Sequence, residues 1–289
     1  MTEEKWEKVL WKQQPFPDNY VPKGLFLSSL RRNPNFRPYS YWPLVFLSCA
    51  ITQHLASVAI FVSAFTMLKD RILDPRVLLW VSITGFFLGY LAWEISTHAV
   101  SERARRREDR MRAVKASILL FLALMCLAPV LRTLTAATSS DSIWAMAAGL
   151  FILNALLADY TPMPGHARER LTSVLSTNAA ISSSVVLASR LAHDLAVFAL
   201  TLFAVEVFAL FPMLRRRLQT SPAPLQAGLT MALVLFALGL SARVSTVAPW
   251  LYAAIFAFVT FAAPAMLVWA QQYKNEIRGQ WDVAVPKVK

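Results

Sequence analysis

The chain has 289 residues, 56% of them hydrophobic and 16% charged, with a mean hydropathy of +0.47 and a formal net charge of +12 at pH 7. A soluble domain carries about 25% charged residues. Here the apolar residues fall in long blocks, which excludes an ordinary globular enzyme and indicates an all-α, polytopic membrane helix bundle.

Residues 1–43 form a polar arm, too polar for a secretory signal peptide. Its segment QPFPDNYVP, Gln14 to Pro22, holds three prolines and two aromatics, so it is extended rather than helical. Just upstream, Trp6, Val9, Leu10 and Trp11 can lie as an interfacial helix with Lys5, Lys8 and Lys12 at the headgroups. About eight spans follow within residues 44–270. They run Leu44 to Leu68, Val77 to Ile95 after Asp74-Pro75, Ala113 to Val130, Ser142 to Leu157 capped by Asp141, Leu171 to Leu191, Leu195 to Met213, Leu225 to Ala242 and Val247 to Ala270. Lys115 and Arg132 can snorkel at the ends of the third, and Pro249 and Pro264 are expected to bend the eighth. Residues 271–289 form a polar tail. Two cysteines, Cys49 and Cys126, lie in apolar blocks and read as small hydrophobes, and His54, His98, His166 and His193 show no ligand spacing. No metal or cofactor site is therefore expected.

Eight spans put both termini on one side. That side carries 23 of the 29 lysines and arginines and the opposite loops carry six, which places both termini in the cytosol.

Several residues are unusual for hydrocarbon. Gly85 and Gly89 form GxxxG, and Ala145 and Gly149 a similar small pair; close packing within this chain is preferred over contact with a partner protein. In the fifth span, Ser173, Ser176, Thr177, Asn178 and Ser182 to Ser184 cannot all face lipid, so this helix is expected to be buried, with a headgroup path as the other option. Glu206 is the acid deep inside a span. An interhelical hydrogen bond is preferred to a proton relay, with Gln53, His54 or Glu94 as possible partners.

No nucleophile elbow, P-loop, HExxH or DxD occurs. A nucleotide-binding α/β fold needs on the order of 100–150 residues, and the longest cytosolic stretch is the 43-residue arm. The opposite loops are shorter still. Any chemistry must then sit on a partner or on scattered intramembrane groups.

The stretch KWEKVLWKQQPFPDNYVP closely resembles the N-terminal signature of the PIG-C family, membrane components of the phosphatidylinositol N-acetylglucosaminyltransferase (GPI-GnT) complex. The likeness continues in order through Tyr41-Trp42, PVLRTLT (Pro129 to Thr135), DSIWAM (Asp141 to Met146), Asp159-Tyr160, LSTNAAISSSVVLASRL (Leu175 to Leu191), FALFPMLRRRL (Phe208 to Leu218) and NEIRGQWDVA (Asn275 to Ala284). It covers about Lys5 to Ala284. The chain departs from the family at TPMPGHARER, which is longer than expected, at ERARRREDRMR, which matches only as a charged loop, and at Val283, where the family tends to have an acid.

The resemblance implies a multi-pass protein of the endoplasmic reticulum membrane. It implies a part in the first step of glycosylphosphatidylinositol-anchor synthesis, the transfer of N-acetylglucosamine from UDP-N-acetylglucosamine to phosphatidylinositol. The glycosyltransferase domain would belong to a separate catalytic subunit. This chain would be a scaffold that presents the lipid. Its partners would be that catalytic subunit, other small membrane subunits of the complex and phosphatidylinositol, with no nucleic acid. The expected lipid or partner contacts are Trp6, Gln14, Pro15, Phe16, Pro17, Asp18, Asn19, Tyr20, Asn178, Glu206, Arg215, Arg216 and Arg217. The arm is read as a clamp on the cytosolic face, since a pre-ordered segment docks at a lower entropic cost. Two alternatives remain: a self-sufficient membrane lipid enzyme using Glu206 or His54 as acid/base, and a lipid transporter or scramblase using the fifth span.

The charge bias yields a direct test. Glycosylation acceptors grafted at either terminus should stay unmodified in cells, and modification of the N-terminal graft would reverse the orientation.

Overall fold

Alternation of long apolar runs with short polar breaks leaves helices as the spanning elements, because a helix satisfies its own backbone in hydrocarbon. The computed structural model describes residues 13–17, 38–97, 103–133, 138–160, 167–218 and 223–276; at 95–97, 103–114, 167–172, 217 and 272–276 it describes the backbone alone. Among these residues the helices are α1 (Tyr41–Lys69), α2 (Pro75–Thr97), α3 (Arg103–Thr133), α4 (Ser140–Leu157), α5 (Ala167–Ala188), α6, α7 (Ala223–Val244) and α8. Helix α6 comprises Asp194–Val205, a π-helical turn Glu206–Leu210 and Phe211–Leu218; α8 comprises Ala248–Ala257, a π-helical turn Phe258–Ala262 and Ala263–Glu276. The fold is an all-α membrane bundle, as the sequence indicates.

Helix starts follow from local chemistry. Pro75 opens α2, where a missing N–H is harmless, and Asp74 Oδ1 accepts the Arg76 N–H at 2.8 Å. The cap of α4 is Ser139, whose hydroxyl accepts the Ser142 N–H at 3.3 Å, not Asp141, which sits in the first helical turn. Pro249 lies in the first turn of α8 and so does not bend it.

The two π turns share a sequence pattern. In EVFALFP and FVTFAAP alike, five π residues are followed by one residue and then proline, Pro212 or Pro264. Proline cannot donate to the carbonyl four residues back, and the widened turn accommodates its ring. In α8 the freed carbonyl is that of Thr260. It accepts the Ser48 hydroxyl of α1 at 3.2 Å, while Thr260 Oγ1 shares a 2.8 Å hydrogen bond with Thr52 Oγ1.

Seven of these helices are long and apolar enough to cross a membrane; α5 has only the shorter apolar stretch Ser173–Ala188. Its ends are nonetheless held at opposite ends of α4. Ser173 receives Arg216, which pairs with Asp159 just after α4, and Arg190 donates to the Thr138 carbonyl just before α4. Helix α5 is therefore tied to both ends of α4 and runs beside it within the bundle.

By internal packing, Tyr41–Ala265 form one unit and Met1–Ser40 with Met266–Lys289 another. In the first, α1 and α6 are central. Buried residues fill 67% of the α1 apolar window and 44% of that of α6, against 11–22% for the other five long spans. Helix α1 packs mainly on α7, α4 packs on α5, and α2, α3 and α5 all pack on α6. Phe61 of α1 is fully buried where these meet, with ring centroids 5.9, 6.1 and 5.2 Å from Phe151, Phe203 and Phe208. In the terminal unit, the Gln271 carboxamide accepts the Tyr39 N–H at 2.7 Å and donates to the Tyr39 carbonyl at 2.8 Å.

The GxxxG of α2 faces α6. A Cβ on Gly85 would collide with Glu206 Oε1, and one on Gly89 would sit 4.0 Å from Leu214 Cδ2. The motif therefore serves packing within the chain. Ala145 and Gly149 of α4 are instead exposed.

A double-mutant cycle tests this contact. Gly85→Ala should destabilise the purified protein, since the carboxyl must move. In a Glu206→Ala background the same change should become neutral or stabilising, by up to about 1 kcal/mol of helix propensity. Thermal unfolding in detergent reads the change of sign; additive effects would exclude the contact.

Candidate functional site

Polar side chains gather in two places. The first is a layer at the C-terminal ends of α4 and α6. The Asn154 carboxamide of α4 donates to the Ser176 carbonyl and hydroxyl, both at 2.9 Å, and Ser176 Oγ donates back to the Asn154 carbonyl at 2.8 Å. That leaves Asn154 Oδ1 as an acceptor, so His54 Nε2, 2.7 Å away, carries the proton. Tyr160 packs edge-on against His54 with centroids 5.7 Å apart, and its hydroxyl donates to the Ala155 carbonyl at 2.8 Å. Burial pushes the Tyr160 phenol up to about 12, with the Arg215 charge opposing the shift, so it is a neutral donor.

Arg215 is 2% exposed. Its guanidinium lies 5.6 Å from the centre of the Tyr160 ring and donates to the Ala50 carbonyl of α1 at 3.1 Å. Arg216 points elsewhere, to Asp159 at 3.3 Å and Ser173 at 2.9 Å, and is half exposed. Adjacent helical positions diverge by about 100°, which is why Arg215 and Arg216 do not act as one patch. On α1, Gln53 donates to Thr230 Oγ1 of α7 at 2.9 Å. Gln53 and Arg215 also line a cavity of about 80 Å³, large enough for ordered water.

The second place is the π turn of α6. Glu206 opens that turn, and the Ser82 hydroxyl of α2 is the polar group that approaches its carboxyl. Neither Ser82 Oγ nor Glu206 Oε2 completes a hydrogen bond. The expected partners lie elsewhere: His54 is committed to Asn154 and Gln53 to Thr230. The sequence could not show this, because the π turn adds a residue and changes which face Glu206 occupies.

The remaining expected contacts separate clearly. Asn178 is exposed and outside the Asn154 network. Gln14 and Phe16 are half-buried while Pro15 and Pro17 are exposed, and Gln14 to Pro17 are not helical. Trp6, Asp18, Asn19, Tyr20 and the Arg217 side chain lie outside the described residues, as do the interfacial helix of the arm and most of TPMPGHARER. Asn154 and Tyr160 are the residues that sequence reasoning missed. An asparagine inside an apolar run facing a serine-rich span was the available signal. Among the described residues, no three potential metal ligands cluster.

The comparisons with known proteins converge. A family model described as phosphatidylinositol N-acetylglucosaminyltransferase, GPI2, matches residues 6–282. The chain belongs to this family. It is 38% identical to the phosphatidylinositol N-acetylglucosaminyltransferase GPI2 subunit of Schizosaccharomyces pombe, over 98% of this chain and 87% of that one. It is 34% identical to the C component of the human transferase, over 98% and 93%, and 36% identical to a putative C component from Dictyostelium discoideum, over 97% and 79%. No solved structure matches. The relatives are each named as a subunit of that transferase.

Asn154 is the hub of the first layer. Asn154→Leu should lower stability by about 1–3 kcal/mol, because it strands the His54 and Ser176 groups as well as deleting its own bonds. Denaturation of the purified protein in detergent measures this; a loss below about 0.5 kcal/mol would show that the layer contributes little.

Proposed function

We propose that this GPI2-family chain is the noncatalytic membrane subunit of the endoplasmic reticulum complex that transfers N-acetylglucosamine from UDP-N-acetylglucosamine to phosphatidylinositol. Both termini lie in the cytosol. A separate catalytic subunit supplies the glycosyltransferase domain, and other small membrane subunits complete the assembly. The observation that carries this proposal is the family match across residues 6–282, on a chain whose described residues are mostly membrane helix. A water-soluble sugar nucleotide needs an aqueous domain to bind it, and eight helices with short connections do not offer one. The lipid acceptor stays in the bilayer, which is where this chain has its mass.

Within that role, phosphatidylinositol docks at the cytosolic end of α6. Arg215 is a positioning residue, since it is buried, donates to the Ala50 carbonyl and stands over the Tyr160 ring. Arg216, half exposed at the rim, and its neighbour Arg217 are the residues for the lipid phosphate or for the catalytic subunit. Domain roles follow the same division: residues 1–43 clamp the cytosolic face, 44–270 hold the membrane and 271–289 form a cytosolic tail. Two observations count against a scramblase path along α5. Ser176 is engaged with Asn154, and Ser183 donates to the Ala147 carbonyl at 3.0 Å.

Two measurements test the proposal. The purified single chain in lipid nanodiscs should transfer no N-acetylglucosamine, whereas the purified complex should; activity of the single chain would overturn the noncatalytic role. Arg216→Lys with Arg217→Lys keeps the charge but loses the planar forks. It should lower the activity of the intact complex about tenfold without affecting insertion or assembly; unchanged activity would exclude the contact.

A further inference from the structure

Helices α2 and α3 each pack on α6, and neither makes a comparable contact with the other. Between them lies a cleft of about 630 Å³ with α6 as its floor. Its walls are apolar, including Phe86, Leu120, Phe121 and Met213. Ser82 and Glu206 stand in this apolar setting. Ser82 is 2% exposed, and its Oγ, like Glu206 Oε2, has no hydrogen-bond partner. Unmet buried polar atoms are rare in folded proteins, and an ionisable group inside a span normally faces protein or a cavity.

Depth limits what can meet them. Glu206 lies within the span Asp194–Arg216. At 1.5 Å per residue it is about 15 Å or more from either end, near the middle of the hydrocarbon. Lipid headgroups do not reach that depth, and acyl chains carry neither donors nor acceptors. A membrane helix bearing a donor can meet the half-buried Glu206 carboxyl, which lines the cleft, and fills the apolar walls. The π turn and Gly85 support this geometry. One places Glu206 on the cleft face of α6, and the other, having no Cβ, leaves room for its carboxyl against α2.

We propose that the cleft between α2 and α3 seats a transmembrane helix of another protein of the complex. That helix presents a lysine, arginine, asparagine, glutamine or serine side chain to Glu206 and Ser82. This rests on the role of the chain as one member of a complex, and the test separates the two.

The complex is purified through a tag on this chain, with the photo-crosslinker p-benzoylphenylalanine in place of Phe86, and its transferase activity is measured before illumination. The expected product is a covalent adduct to another membrane protein of the complex, with the adduct mapped by mass spectrometry to a spanning helix. Active complex whose adduct is phospholipid, a second copy of this chain or nothing overturns the cleft proposal while leaving the role in the complex intact. A preparation that is active without any other membrane polypeptide overturns both. In the same crosslinking background, Glu206→Leu with Ser82→Ala should lower the crosslinked fraction about tenfold, the scale of losing an intramembrane hydrogen-bond pair. An undiminished adduct in a variant of unchanged melting temperature would show that the polar pair does not recognise the occupant. The Phe86 adduct in the unsubstituted background stands independently of whether that variant folds.

Discussion

Hydrocarbon offers no hydrogen bonds, so every polar group that this chain places inside the bundle must be met by another part of the protein. Prolines make the demand acute. Pro264 removes a backbone donor in mid-helix, and the exposed Thr260 carbonyl is met by Ser48 of α1. The second threonine contact, Thr52 to Thr260, lies one turn further along α1. A defect that would weaken α8 alone thus becomes the joint between α8 and α1. Helix α1 is central for the same reason. Its Ala50 carbonyl, Gln53 and His54 reach α6, α7 and α4 in turn. The apolar packing around Phe61 adds density to contacts whose register the polar groups set.

Helix α6 carries the opposite consequences of that constraint along its length. At its end Arg215 and Arg216 diverge onto α1 and onto the α4–α5 region, fixing both the rotation and the height of the helix. A buried guanidinium without a carboxylate partner would be costly on its own. The backbone carbonyl and the face of Tyr160 offset part of that cost. In the middle, the π turn before Pro212 leaves the Glu206 carboxyl incompletely bonded beside Ser82. The ends of α6 are tied and its centre is open to the side. A helix held at both ends, by Arg132 on Asp194 and by Arg215 on Ala50, and flanked by two helices that do not close on each other is suited to receiving another segment.

How much of this was legible from the residues depended on how local each cause was. The apolar blocks and the Asp74-Pro75 break follow from short windows and appear as read, whereas the serine-rich fifth span buries Ser176, Ser183 and Ser184 and leaves Asn178 and Ser182 exposed. The length of α5 is a partial exception. Its apolar stretch is too short by composition, yet Arg190 and Ser173 tie its two ends to those of α4. The failures concern partners distant in sequence. Glu206 meets Gly85 and Ser82, more than one hundred residues away, and the GxxxG that suggested a helix contact was in fact the mate of that acid. Asn178 is as polar as Ser176, but rotation by half a turn separates the two, and only Ser176 faces Asn154. The cap of α4 was misassigned by two residues because serine and aspartate cap equally well and only the backbone decides. The spacing of five residues, one residue and proline in α6 and α8 was visible from the start. Its consequence, a π turn ahead of each proline, is a property of the folded helices.

The division of labour proposed for the complex has a physical basis. A glycosyl transfer onto phosphatidylinositol joins a substrate that lives in water to one that cannot leave the bilayer. One chain rarely optimises both settings, because a sugar-nucleotide domain needs a hydrated cleft and a lipid platform needs packed helices. In this chain several buried polar groups, among them Gln53, His54, Asn154, Ser176 and Ser183, are spent on holding other helices, which favours a frame over a reaction centre. Rigidity is what a catalytic domain on the cytosolic face would require of its membrane anchor, since it must meet the lipid phosphate at a fixed height above the hydrocarbon. The arginine-bearing end of α6 is held to α1 and to the α4–α5 region. In the proposed division of labour that end would set the height at which a headgroup is presented.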